Sequence, residues 1–358
     1  MCRIRSRPSF TMPSADQMNS RSAKNSPPPI FIVGSERSGS NLLRSLLGNN
    51  SQVEAPVAPH FQDAWRGLLP FYGDLRISKN VRFLLEDMLE YANHPFNDWR
   101  LTLDMAAIID MQRPMCFMDA FEILYRGKAL SQGCSTYVCK DNHIFNHAFQ
   151  VRLHFPDAKF LYLFRDPRDH CASWKAKPMH LKTVWDSILK WEREQQQCLD
   201  LINSHGFEMH FVSYEDLIAD TPQVMSKMLE FCGLPVEEGC FETDPGKHRA
   251  AAERYVYWEN LNKPIMRDNK RKYRRTLTQE EISLIETRAA KLMDVLGYPC
   301  ETARDWIPPK GHRFRLPIER WLVERRHRQH FDQESKILRS KQMLLADIRS
   351  RAAQRKIR

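Results

Sequence analysis

The sequence predicts an α/β protein whose parallel sheet is covered by helices on both faces. Three observations lead there. Short apolar runs alternate with stretches of helical periodicity, the pattern of strands joined by helical crossovers. Lys159–Phe164 is almost continuously apolar, as suits a strand buried on both faces. The chain is 358 residues long, 42% hydrophobic and 27% charged, enough to bury a large core in one or two domains.

Residues 1–29 are polar, Ser-rich and end in Pro27-Pro28-Pro29, the composition of a disordered leader. The ordered domain is expected to span 30–309. It begins with the strand Ile30-Phe31-Ile32-Val33, a Gly/Ser turn, and a helix carrying Leu42, Leu43, Leu46 and Leu47. Val81, Leu84, Leu85, Met88 and Leu89 share one helical face, as do Phe117, Phe121, Leu124 and Leu130. Thr136–Cys139 reads as a second strand, followed by a helix through Phe145, Phe149 and Leu153. After the third strand, 159–164, a helix starts with Asp166 as N-cap, Pro167 first and Asp169 third. A long helix is expected over 180–203, a strand at His210-Phe211-Val212, and a helix over Thr221–Cys232 stopped by Gly233. Thr278-Gln279-Glu280-Glu281 is a capping box that opens a helix running to Gly297.

Charge is unevenly placed. Residues 310–358 hold 15 Lys/Arg and 5 Asp/Glu, which leaves 39 of each sign in 1–309. The formal net charge of +10 therefore belongs to a basic helical tail, and no specific nucleic-acid partner is expected. The tail reads as one long or two broken helices: a peripheral contact with an anionic membrane, a docking site for an acidic glycan, or a helix packed on the body. Nine cysteines without a CxxC pair support neither a disulfide scaffold nor a zinc ribbon, and no metal is expected. No window of about 18 apolar residues occurs, and the first 29 residues lack the apolar centre of a secretory signal. A cytoplasmic protein is expected.

In a doubly covered parallel sheet, ligands bind beyond the carboxyl ends of the strands. Gly34-Ser35-Glu36-Arg37-Ser38-Gly39-Ser40-Asn41 lies there, between strand and helix, where backbone N–H groups and the helix end attract an anion. Gly34 and Gly39 keep the spacing of a nucleotide-triphosphate loop, but Ser40 stands where that motif requires lysine. Arg37 supplies a guanidinium instead; the alternative is an ordinary Gly/Ser connection. After the third strand, Arg165 and Ser173 are placed to grip one phosphate; alternatively Arg165, Asp166, Arg168 and Asp169 are a solvated ion-pair cluster around a helix cap.

Together these segments resemble the sulfotransferase family that uses 3′-phosphoadenosine 5′-phosphosulfate (PAPS). Phe31–Asn41 is similar to its 5′-phosphosulfate loop, and Phe160–Asp169 with Ser173 to its 3′-phosphate motif. Lys140-Asp141-Asn142, Tyr214-Glu215-Asp216-Leu217, Phe231-Cys232-Gly233-Leu234-Pro235 and Gly297-Tyr298-Pro299 follow in the family's order, so the likeness covers about 30–300. The resemblance implies a three-layer P-loop-like fold and transfer of a sulfuryl group from PAPS to a hydroxyl acceptor such as a carbohydrate. It implies that Arg37, Ser38, Gly39, Ser40 and Asn41 hold the phosphosulfate, and that Arg165 and Ser173 hold the 3′-phosphate. Tyr214, Lys263, Arg271 and Lys272 are expected near the nucleotide, a solvated basic loop being the other reading of Lys263 and the run Lys270–Arg274.

Many relatives carry a Glu in a segment like APPETHF; here Ala55-Pro56-Val57-Ala58-Pro59-His60-Phe61 puts Ala58 at that position. His60 is the candidate general base, with a structural histidine as the other reading. Lys140 is the candidate for stabilising the transferring group. Phe61, Trp65, Phe71, Tyr72 and Trp99 are either acceptor-stacking rings or core. An atypical small-molecule kinase and a nucleotide-binding protein without turnover are the competing functions.

Overall fold

The computed structural model describes residues 27–110, 115–176, 183–244, 263–303, 305–308, 312–327 and 332–357. The expected leader lies outside the described residues up to position 26, as do 180–182 at the start of the expected long helix.

Five parallel strands form one sheet: β1 (Ile30–Gly34), β2 (Val53–Glu54), β3 (Thr136–Cys139), β4 (Lys159–Phe164) and β5 (Met209–Ser213), in the order β2-β3-β1-β4-β5. β1 is central, with Phe31 opposite Phe160 and Gly34 opposite Leu163. Four strands agree with the sequence reading. β2 does not appear in it, because two residues carry no periodicity.

The α-helices are α1 (Ser40–Leu47), α2 (Phe61–Trp65), α3 (Ser78–Asn93), α4 (Met105–Asp110), α5 (Phe117–Ser131), α6 (Ala148–His154) and α7 (Pro167–Ala176). Then follow α8 (Val184–Asn203), α9 (Tyr214–Ala219), α10 (Thr221–Cys232), α11 (Tyr273–Thr276), α12 (Gln279–Leu296), α13 (His312–His327) and α14 (Asp332–Ile357). Alternate residues of β1 feed two cores, as strand geometry requires. Phe31 and Val33 pack with rings and aliphatics of α3, α5 and α8, whereas Ile30 and Ile32 pack with Leu43, Leu46 and Leu47 of α1 and Met225 and Leu229 of α10. Gly233 ends α10 and Gly297 ends α12, both left-handed, and Thr278 with Glu281 closes the expected capping box.

Of the four charges in Arg165–Asp169, two are structural. Arg168 donates to Asp166 Oδ2 at 2.7 Å and to Glu286 Oε1 of α12 at 2.6 Å, with side chains 3% and 0% exposed for Arg168 and Glu286. Glu286 also accepts the backbone N–H groups of Glu301 and Thr302. A solvated cluster is thus excluded for this pair; the network joins α7 to α12. Glu286→Ala leaves a buried guanidinium short of a partner and is expected to cost about 3–5 kcal/mol, measurable as a lowered urea midpoint at unchanged slope.

The basic tail forms two helices. α14 packs on the body: Ile348 and Ala352 belong to the main core, and Arg355 donates to Asp87 Oδ2 of α3 at 2.9 Å. α13 keeps Ile318, Trp321 and Leu322 exposed. No helix among the described residues is long and apolar enough to cross a membrane.

Candidate active site

The loops after β1, β3 and β4 meet in one cavity of about 800 Å³. The loop after β1 is shaped by two glycines. At Gly34 a Cβ would lie 2.1 Å from the Leu163 carbonyl oxygen, and at Gly39, with φ of 95°, 2.2 Å from the Tyr214 ring. Neither close approach tolerates a side chain. Between them Arg37 adopts a left-handed φ of 66°. The chain then enters α1, so Gly39, Ser40 and Asn41 line the cavity at a helix N-terminus, where unpaired N–H groups favour an anion.

Two loops are bonded to each other across this cavity. Arg37 Nε donates to Ser173 Oγ of α7 at 3.1 Å. Arg165, at the end of β4, donates to the Arg37 carbonyl at 3.2 Å and to the Asn269 carbonyl at 3.0 Å, and lies 4.3 Å from the centre of the Tyr214 ring. Its buried Nε has no hydrogen-bond partner, and neither has the buried Ser38 Oγ. Asp169 receives the backbone N–H groups of Arg271 and Tyr273, at 2.6 and 3.0 Å, which pins the basic segment to α7. Lys263 and Lys272 line the cavity.

The opposite side is built by the loop before α2 and the loop after β3. His60 has φ of 62° and a side chain 32% exposed. Its Nδ1 accepts the Asn142 N–H at 3.4 Å and faces Asp141 Oδ1 at 3.6 Å. Burial, and then the charges of Lys140 and Lys341, push the imidazole down to about 3, so it is neutral at pH 7. Burial pushes Asp141 up to about 7. Lys140 donates to Asn142 Oδ1, Asn142 to Glu36 Oε1, and burial lowers the lysine to about 8.

A sequence model of the sulfotransferase family matches residues 28–238. The chain belongs to the sulfotransferase family. Among solved structures, it is 18% identical to the sulfotransferase domain of the Synechococcus PCC 7002 olefin synthase, covering 81% of this chain and 99% of that one at a TM-score of 0.52. It is 19% identical to the sulfotransferase domain of the curacin biosynthetic pathway, covering 76% and 98% at a TM-score of 0.50. At these identities the likeness is one of fold. An uncharacterized protein of Aquifex aeolicus (strain VF5) is 25% identical over 295 residues, 79% of this chain; the chain spans 35% of that relative's length.

Within the sulfotransferase fold, Arg37, Gly39, Ser40, Asn41, His60, Lys140, Arg165, Ser173, Tyr214, Lys263 and Lys272 all line the one cavity. The segments after β1 and β4 therefore meet at a single cavity. Arg271 does not line it: the residue is exposed, and its backbone N–H donates to Asp169, which does. Ser38 is buried within the loop and does not line the cavity.

Phe61, Trp65, Tyr72 and Trp99 are buried in the main core, and Phe71 packs partly buried against it, which decides between stacking rings and core. The wall beside His60 is instead made by Val57, Ala58, Phe96 and Leu338. Sequence reasoning also missed Arg44, whose buried guanidinium donates to the Ala55 carbonyl and lines the cavity. Leu42, Leu43, Leu46 and Leu47 drew the reading of this helix, and nothing in the local pattern singles out the arginine between them.

Proposed function

We propose that this protein transfers a sulfuryl group from PAPS to a hydroxyl acceptor. The observation that carries the reading is the Arg37–Ser173 hydrogen bond, which places the loop after β1 and helix α7 on one cavity, with Arg165 beside it. A donor bearing a 5′-phosphosulfate and a 3′-phosphate needs anion contacts at both places. The residues fit it: Arg165 lines the cavity and its buried Nε has no hydrogen-bond partner, so a phosphate oxygen would satisfy it. PAPS would supply the sulfuryl group and a phosphate leaving group.

Each residue then has a task. Arg37 and the N–H groups of Gly39, Ser40 and Asn41 hold the phosphosulfate and meet the charge that collects on the leaving oxygen. Arg165 and Ser173 hold the 3′-phosphate. Lys140 lies between the two sides and balances charge on the transferring oxygens. His60 takes the acceptor's hydroxyl proton on Nε2 as the acceptor oxygen bonds to sulfur and the bond from sulfur to the phosphate oxygen breaks. The negatively charged donor offsets the fields of Lys140 and Lys341 at His60, which makes the imidazole a stronger base once the donor is bound. The sequence suggested a carbohydrate acceptor; the apolar wall of Val57, Ala58, Phe96 and Leu338 favours an acceptor with an apolar body.

Calorimetric titration with 3′,5′-ADP, ADP and magnesium-ATP tests the donor reading. The expected result is a preference for 3′,5′-ADP of at least tenfold over ADP. Equal binding, or a preference for magnesium-ATP, replaces this reading with the kinase.

A further inference from the structure

One wall of the cavity comes from outside the segment that matches the family: Leu338 and Lys341 of α14 line it. Lys341 Nζ donates to Asn97 Oδ1 at 3.0 Å and to the Pro59 carbonyl, one residue before His60, at 3.4 Å. The rings of Tyr91 and Phe96 have their centres 4.9 and 4.6 Å from the ammonium, and the residue is 8% exposed. All four partners are neutral. Among the described residues no carboxylate pairs with this ammonium; Asp141 acts on it only at longer range.

A cation buried without a counter-ion is costly. The cost is sustained because α14 is fixed elsewhere, by Arg355 and Arg351 on Asp87 and Glu90 of α3 and by Ile348 and Ala352 in the core. Two of the three ammonium protons are taken by protein carbonyls, which leaves one for a ligand. Lys140 and Arg44, also in the lining, are held by Asn142 and the Ala55 carbonyl, whereas Lys341 holds the Pro59 carbonyl, one residue before His60, in the wall that Phe96 and Leu338 complete.

We propose that Lys341 sets acceptor specificity: its ammonium binds a carboxylate, or a comparable anionic group, on a hydroxylated acceptor with an apolar body, and so aims the hydroxyl at His60. This rests on the sulfotransferase reading of the cavity.

The test uses the full chain. 3′,5′-ADP is titrated first, so that the donor site is judged separately; decanoate and decan-1-ol are then titrated as probes that differ only in the anionic group. Decanoate is expected to bind at least tenfold more tightly than decan-1-ol. Lys341→Met removes that preference, Lys341→Arg keeps most of it, and 3′,5′-ADP binds all three proteins alike. With 10-hydroxydecanoate as acceptor, Lys341→Met raises KM at least tenfold with a much smaller change in kcat. No decanoate binding, equal binding of the two probes, or a preference that survives Lys341→Met overturns the assignment even where 3′,5′-ADP binds well. Failure of 3′,5′-ADP alone overturns the donor reading and leaves the decanoate comparison to decide on Lys341.

Discussion

His60→Ala lowers kcat by about 10²- to 10⁴-fold, the usual loss of a general base, while 3′,5′-ADP binding changes little. The stronger expectation concerns pH. His60 Nδ1 lies between the Asn142 N–H and Asp141 Oδ1. While Asp141 is protonated, Nδ1 accepts from Asn142, the ring proton sits on Nε2, and Nε2 cannot take another. Once Asp141 ionises, it draws the proton to Nδ1 and frees Nε2. With Asp141 raised to about 7 by burial, kcat/KM is expected to rise as pH rises through about 7. Asp141→Asn flattens that limb, and a rise that persists in Asp141→Asn removes Asp141 as the positioning residue. Stability moves the other way. Folded Asp141 keeps a proton that the unfolded chain loses near pH 4, so stability falls as pH rises from about 4 to about 7. Asp141→Asn is expected to raise Tm at pH 8 and leave it nearly unchanged at pH 4.

Arg165→Ala is expected to weaken 3′,5′-ADP by roughly 10²- to 10³-fold, the range for losing one partner of a buried charge pair, about 2–5 kcal/mol. Plain ADP, which lacks the 3′-phosphate, loses far less. Arg165 also braces the loop through the Arg37 and Asn269 carbonyls, so Arg165→Lys is the informative companion. It keeps the charge and loses the planar fork. Calorimetry that finds equal losses for the two nucleotides assigns Arg165 to the loop alone.

The side of the cavity built by the loops after β1 and β4 was legible in sequence because it is local. A glycine loop after a strand and an Arg-Asp-Pro helix start each declare themselves within about ten residues. The alternation of strands and helices declared the sheet in the same way, apart from the two residues of β2. The side beside His60, where the acceptor is proposed to bind, was not legible. Phe61, Trp65 and Trp99 have the composition of a sugar-binding wall, but burial is a property of packing and no local pattern reports it. Asp166 and Arg168 cannot be told from Arg165 and Asp169 by type; only the placement of Glu286 on α12 sorts the buried network from the site-facing charges. Lys341 carried no signal, since one lysine in a basic helix looks like its solvated neighbours.

The contact between Lys341 and Pro59 spans 282 positions, against 136 for Arg37 with Ser173. In entropy the longer closure is cheap, about 0.6 kcal/mol per doubling of length. In time it is not. At about 5–20 residues per second, residue 341 leaves the ribosome roughly 15–60 s after residue 60. The loops after β1 and β4 can therefore meet before the wall that Lys341 completes is made. On the role proposed for Lys341, selection between acceptors waits on a residue made well after the loops proposed to hold the donor.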